Sequence, residues 1–134
     1  GLYQRAIDDL TKVIALRPDH SFGYYARGNL YIHRARYQQA IDDYGKAISL
    51  NPNYFEAYNN RAFIYLQMGQ YRQAYDDYSK AISIKPDYAD AYNNRAFILL
   101  STGNMMAGCK DGKKACALGN CSTLQLAIGK GFCR

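Results

Sequence analysis

Three groups of side chains in this chain of 134 residues have types and spacings suited to chemistry. Asparagines come in adjacent pairs, Asn59-Asn60 and Asn93-Asn94. A carboxamide both donates and accepts, so a row of them can hold the backbone of an extended peptide without reading its side chains. The same residue early in a helix can instead cap it or meet water. All four cysteines, Cys109, Cys116, Cys121 and Cys133, lie towards the C-terminal end. They can form disulfides, stay reduced and buried, or ligate zinc, although the short C-x-x-C pairs usual for zinc are missing. The acidic pairs Asp42-Asp43 and Asp76-Asp77 are adjacent in sequence, so a helix points their carboxylates in different directions. His20 and His33 join no Ser-His-Asp or Cys-His arrangement, and no glycine-rich loop follows a strand pattern. This inventory argues for a binding protein with no cofactor and no metal centre, and against an enzyme.

The elements that must position these groups are legible from a period. Pro18, Pro52 and Pro86 stand 34 residues apart. The same shift superposes Tyr24, Tyr58 and Tyr92, then Arg27, Arg61 and Arg95, then Ala40 on Ala74, Tyr44 on Tyr78 and Ala47 on Ala81. Within one period apolar residues recur at helical spacing, as in Tyr58, Ala62, Tyr65 and Leu66, and again in Ala74, Tyr78, Ala81 and Ile82. The spacing predicts first helices over about 21–34, 55–68 and 89–102, and second helices over about 38–49, 72–83 and 105–117. Gly69-Gln70 and Gly103-Asn104 break the chain between them, and Pro52 and Pro86 stop the second helices. Composition agrees: 17 alanines stand against one valine, Val13, and aromatics reach 14% without a single tryptophan.

These residues resemble the signature of the tetratricopeptide repeat family: Tyr24, Arg27-Gly28, Tyr31, Ala40, Tyr44 and Pro52, repeated as Tyr58, Arg61-Ala62, Tyr65, Ala74, Tyr78 and Pro86. The resemblance implies an all-α, right-handed solenoid of helix-turn-helix repeats forming one domain over residues 1–134. In that frame residues 1–20 are the second half of a truncated repeat, 21–54 and 55–88 are full repeats, 89–122 is degenerate, and 122–134 is a cap with Ser122 as its N-cap. In the degenerate unit Gly108 and Gly112 replace Ala and Tyr. Arginine replaces the family's usual leucine at Arg27, Arg61 and Arg95. An arginine facing a neighbouring helix needs a partner, and Asp9, Asp43, Asp77 and Asp111 recur with the same period. The two readings are an Arg–Asp ladder between helices and guanidiniums that reach solvent.

The resemblance further implies that the first helices line a concave groove that takes a peptide segment or partner protein. By repeat position the groove residues are Tyr25, Asn29 and His33, then Asn59, Asn60, Phe63 and Gln67, then Asn93, Asn94 and Phe97. Asn60 and Asn94 share their phase with asparagines that line the groove of O-linked N-acetylglucosamine transferase repeats. A second family mode, the carboxylate clamp for acidic chaperone tails, matches at Asn29 and Asn60. Its cationic places are filled by Tyr25, Asp90 and Asn94, so an acidic C-terminal tail is a poor ligand here. The leading function is thus a non-enzymatic peptide- or protein-binding scaffold. The alternatives are an assembly module that stacks end to end and the accessory region of a larger enzyme.

A hairpin turning near Gly119 brings Cys116 towards Cys121 and Cys109 towards Cys133, whereas Cys109 and Cys116 on one helix are ~10 Å apart, too far to bridge. Oxidised cysteines favour a periplasmic or secreted location, and reduced ones a cytoplasmic one. The net charge is +6 without a regular basic stripe, which argues against nucleic acid, and the apolar runs are too short for a membrane span. The first helix presents Tyr3, Ile7, Leu10 and Ile14 with no preceding helix to cover them. That predicts a piece of a longer protein, with any targeting signal upstream and the N-terminal face covered by self-association with another copy.

Overall fold

The structure is a computed structural model describing residues 1–134. It consists of eight helices and no strands: α1 (Leu2–Leu16), α2 (Ser21–His33), α3 (Tyr37–Leu50), α4 (Phe55–Gln67), α5 (Tyr71–Ile84), α6 (Ala89–Ser101), α7 (Met105–Ala117) and α8 (Ser122–Gly129). Helices α2–α3, α4–α5 and α6–α7 form hairpins that stack in order, with α1 against α2 and α8 against both α6 and α7. This is the all-α solenoid that the period predicts.

Small residues set the helix approach. Ala40, Ala47, Ala74 and Ala81 are wholly buried, and Tyr44 and Tyr78 fill the space between them, also wholly buried. They anchor two successive cores, one around Tyr44 and Ile64 and one around Tyr78 and Ile98. Gly108 plays the same part in the last hairpin. A Cβ there would lie 2.7 Å from Leu100 Cγ, so the glycine lets α7 press against α6, whereas at Gly112 a Cβ would meet Leu124 Cβ at 3.4 Å, an ordinary contact.

Between the helices of each hairpin the chain turns through the left-handed region, at Gly69 (φ +72°) and Gly103 (φ +88°). The first hairpin places Ala35 there instead (φ +55°), at a cost of roughly 1–2 kcal/mol from its Cβ.

The arginines form a ladder rather than reaching solvent. Arg27 Nε and Nη2 donate to Asp43 at 2.7 and 2.8 Å, and Arg61 donates likewise to Asp77 at 2.7 and 2.9 Å. Arg95 completes the series on Asp111 at 2.6 and 3.0 Å. The hydrogen bonds to these carboxylates raise all three guanidinium pKa values above their ordinary range. Two bonds in parallel fix both helices' rotation, and a carboxylate this buried would be costly without them. Asp9 is exposed and has no such partner. The ladder also ties neighbouring hairpins: Arg27 Nη1 donates to Thr11 and Arg95 Nη1 to Ser79, each at 3.1 Å. The matching place for Arg61 is Gly45, which has no hydroxyl to accept.

Ser122 does not act as the N-cap of α8. That place falls to Cys121, and the free N–H groups are met from outside the helix: Asn120 Oδ1 accepts from Ser122 N at 3.2 Å and Asn93 Oδ1 from Thr123 N at 2.9 Å.

Candidate functional site

The groove side of α4, α6 and α8 carries one continuous depression. Its first part, about 420 Å³, is lined by Phe63, Leu66, Gln67, Tyr71, Asn94, Phe97 and Thr123. An adjoining part of about 170 Å³ shares Phe97 and Thr123 and extends between Leu126 and Phe132, with Lys130 at its edge. Phe63 and Phe97 are 41% and 39% exposed, and Phe132 is 47% exposed, so three large aromatics stand open along this side. The half-buried Asn94 carboxamide lies close to the Tyr78 hydroxyl without reaching hydrogen-bond geometry, and it lines the depression.

The structure therefore brings Phe63, Gln67, Asn94 and Phe97 together. It uses the other proposed groove residues for the fold. Asn29 Oδ1 accepts from the buried Tyr44 hydroxyl and from Asn60 Nδ2, the latter at 3.0 Å. Asn60 Nδ2 also approaches the Tyr25 hydroxyl at 3.4 Å, and the Tyr25 ring lies 4.8 Å from that of Tyr54. Asn59 donates to Asn60 at 3.4 Å, while its own Oδ1 is buried without a partner. Asn93 is spent on the first turn of α8. His33 stands apart from the depression, its ring stacked at 5.3 Å on Tyr3 of α1.

Leu126, Phe132 and Lys130 are groove residues that the repeat frame does not contain, because they follow the last period. The signal that could have found them is the cysteine spacing. The sulfurs of Cys109 and Cys133 are paired, with Cα atoms 5.6 Å apart, and those of Cys116 and Cys121 are paired at 4.0 Å. The first pair ties the tail to α7 and sets Phe132 beside α8. No three His, Cys, Asp or Glu side chains converge as a metal site would require.

Burial is the main electrostatic influence on the tyrosines beneath the groove. It pushes the hydroxyls of Tyr44, Tyr78 and Tyr88 above their ordinary pKa, and that of Tyr54 up to about 12. They are neutral hydrogen-bonding groups at any physiological pH.

Comparison with known proteins accounts for this geometry. Tetratricopeptide repeat profiles match residues 28–69, 55–88 and 78–110. A crystal structure of MamA superposes with a TM-score of 0.84 at 33% identity, covering 88% of this chain and 69% of that one. The chain belongs to the tetratricopeptide repeat family. MamA 41-end from Desulfovibrio magneticus RS-1 shares the fold at 22% identity and TM-score 0.78, with 87% of this chain and 66% of that one covered. So does the first repeat domain of Spaghetti (RPAP3) bound to the HSP90 peptide SRMEEVD, at 22% identity and TM-score 0.73, with 81% and 93% covered. The chain spans 64–69% of the MamA chains it matches. Among curated proteins no match was found.

Proposed function

We propose that this tetratricopeptide repeat domain is a protein-interaction scaffold whose groove holds a peptide segment bearing large apolar side chains. The observation that carries the reading is the open stripe of Phe63 and Phe97 beside the unbonded carboxamide of Asn94. The aromatic faces supply apolar burial, and Asn94 can donate to one backbone carbonyl while accepting from one N–H. That a related fold is known with a peptide bound, in RPAP3, agrees with this use of a solenoid surface. The direct test is selection of binders from a random peptide library, followed by titration of the winners against variants. Phe97→Ala and Asn94→Ala should each weaken binding, the former by about tenfold or more. Selected peptides that bind both variants as tightly as the parent would overturn the assignment.

The paired cysteines favour an oxidising compartment, periplasmic or extracellular. Intact-mass measurement on never-reduced protein should find it four hydrogens lighter than the thiol form. A second reading is self-association through the N-terminal face. Of the residues expected there Ile7 is buried and Leu10 and Ile14 are half-buried, leaving Tyr3 open at 44%. The support shifts to Leu2, Val13 and Leu16 on the adjoining side of α1, exposed at 84%, 40% and 84%. Light scattering that shows a mass independent of concentration would set it aside.

A further inference from the structure

The second helices carry a charge pattern that reverses once. In α1, α3 and α5 an aspartate precedes a lysine by four residues: Asp8 and Lys12, Asp42 and Lys46, Asp76 and Lys80. In α7 the acid is replaced, leaving Lys110 four residues before Lys114 with Lys113 between them. Like charges at this spacing on one helix repel, and this helix also carries two glycines. None of the three lysines has a carboxylate within 4.0 Å. The only acid on α7, Asp111, is fully engaged by Arg95. Pairing of Cys109 and Cys116 with residues beyond the helix holds the lysine-bearing segment at both ends.

Lys110 and Lys114 border a cleft of about 460 Å³ between α5, α6 and α7, whose one carboxylate is the Asp111 already bound by Arg95. Tyr75 and Tyr92 stand on either side of the Arg95 guanidinium, each ring centroid 5.6 Å from it, and Leu99 adds an apolar wall. Tyr92, Arg95 and Leu99 lie on the face of α6 opposite Asn94 and Phe97, so this cleft is separate from the peptide groove.

We propose that this cleft is a docking site for an acidic peptide segment of a partner protein. Lys110 and Lys114 would meet carboxylates, while Tyr75, Tyr92 and Leu99 would cover the aliphatic parts of the segment. A carboxylate between the lysines also removes their mutual repulsion, so binding stiffens α7. A nucleic acid fits less well. In the neighbouring cleft that shares Tyr75 and Leu99, Arg72 stands with Asp76, so the excess positive charge does not continue along the solenoid for a phosphate backbone to follow.

The test uses the whole chain and fluorescein-labelled hexaglutamate, followed by anisotropy at low and at physiological salt. Lys110→Asp restores the Asp-to-Lys spacing of the other repeats and should fold as the parent does. It should lose about tenfold or more in hexaglutamate affinity, and the parent's binding should weaken with salt. Lys46→Asp makes the same change in net charge at an exposed place on α3 that lines neither cleft, and should stay within about threefold of the parent. Lys114→Gln should also lose affinity, which keeps the test open if Lys110→Asp misfolds. Equal losses in Lys110→Asp and Lys46→Asp would reduce the effect to general charge and overturn the proposal. So would oligothymidylate binding more tightly than hexaglutamate.

Discussion

Two junctions in this solenoid are built from the same repeat positions and behave differently. Where α2 and α3 meet α4, Asn29 takes hydrogen bonds from Tyr44 and Asn60. Where α4 and α5 meet α6, the position of Asn29 is Phe63. There the fully buried Tyr78 hydroxyl has no partner, although Asn94 lies close to it. A glycine difference accompanies the change. A Cβ on Gly28 would come within 2.9 Å of the Tyr44 ring, whereas its counterpart is Ala62. Glycine lets the tyrosine tilt close to α2, where Asn29 Oδ1 can accept its hydrogen bond. The difference teaches that an asparagine at one repeat position is bonded between helices or not according to a residue on the preceding first helix. Asn60 is consumed by Asn29; Asn94 faces Phe63 and lies beside the Tyr78 hydroxyl.

The largest effect expected is one that ignores this difference. Burial raises the pKa of both Tyr44 and Tyr78 above the unfolded value near 10. A raised folded-state pKa leaves stability intact below the unfolded pKa and erodes it above. Stability should therefore be level up to about pH 10 and then fall by roughly 1.4 kcal/mol per pH unit for each such tyrosine. Urea midpoints measured from neutral to strongly alkaline pH check this, and Tyr44→Phe and Tyr78→Phe should flatten the fall alike.

Substitution at neutral pH should then separate the junctions. Asn29→Ala removes the acceptor of two hydrogen bonds and strands a buried hydroxyl, which should cost about 2 kcal/mol in chemical denaturation. Tyr44→Phe should cost about 1 kcal/mol, whereas Tyr78→Phe removes a hydroxyl with no partner and should cost nothing or add slightly to stability. Equal costs at the two sites would show that Tyr78 has a partner in solution, a bound water being the simplest.

Smaller gains should come from making the first full repeat resemble the later ones. Ala35→Gly relieves the left-handed backbone that Gly69 and Gly103 adopt freely, and should raise stability by about 1 kcal/mol. Gly45→Ser should give a similar or smaller gain, by offering Arg61 the hydroxyl that Ser79 offers Arg95. A Cβ at Gly45 would sit 3.7 Å from Arg61 Nη1, so there is room for it. Thermal or urea midpoints of the two single variants measure each gain separately.

The period alone names the helices and their pairing. It places proline, alanine and tyrosine where only stacked helical hairpins can bury them, and it names the aspartate sixteen residues after each arginine as a partner, while the folded geometry decides for the ladder over solvent. Periodicity carries such information because each repeat meets its neighbours in the same way. It could not say which asparagines face a ligand. Asn29, Asn60, Asn93 and Asn94 are chemically alike, and their roles depend on which hydroxyl, N–H or ring lies opposite. The folded chain shows Asn93 closing α8 and Asn60 bonded between helices, whereas Asn94 lies beside the Tyr78 hydroxyl at the wall of the depression. The tail escaped the period altogether. Leu126 and Phe132 became part of the groove because Cys133 returns to Cys109 across 24 residues; the cysteine spacing points to that approach, but not to the side of α6 on which the tail then lies. Local spacing thus dictates which faces meet, and the balance of hydrogen-bonding partners at each meeting decides what remains for function.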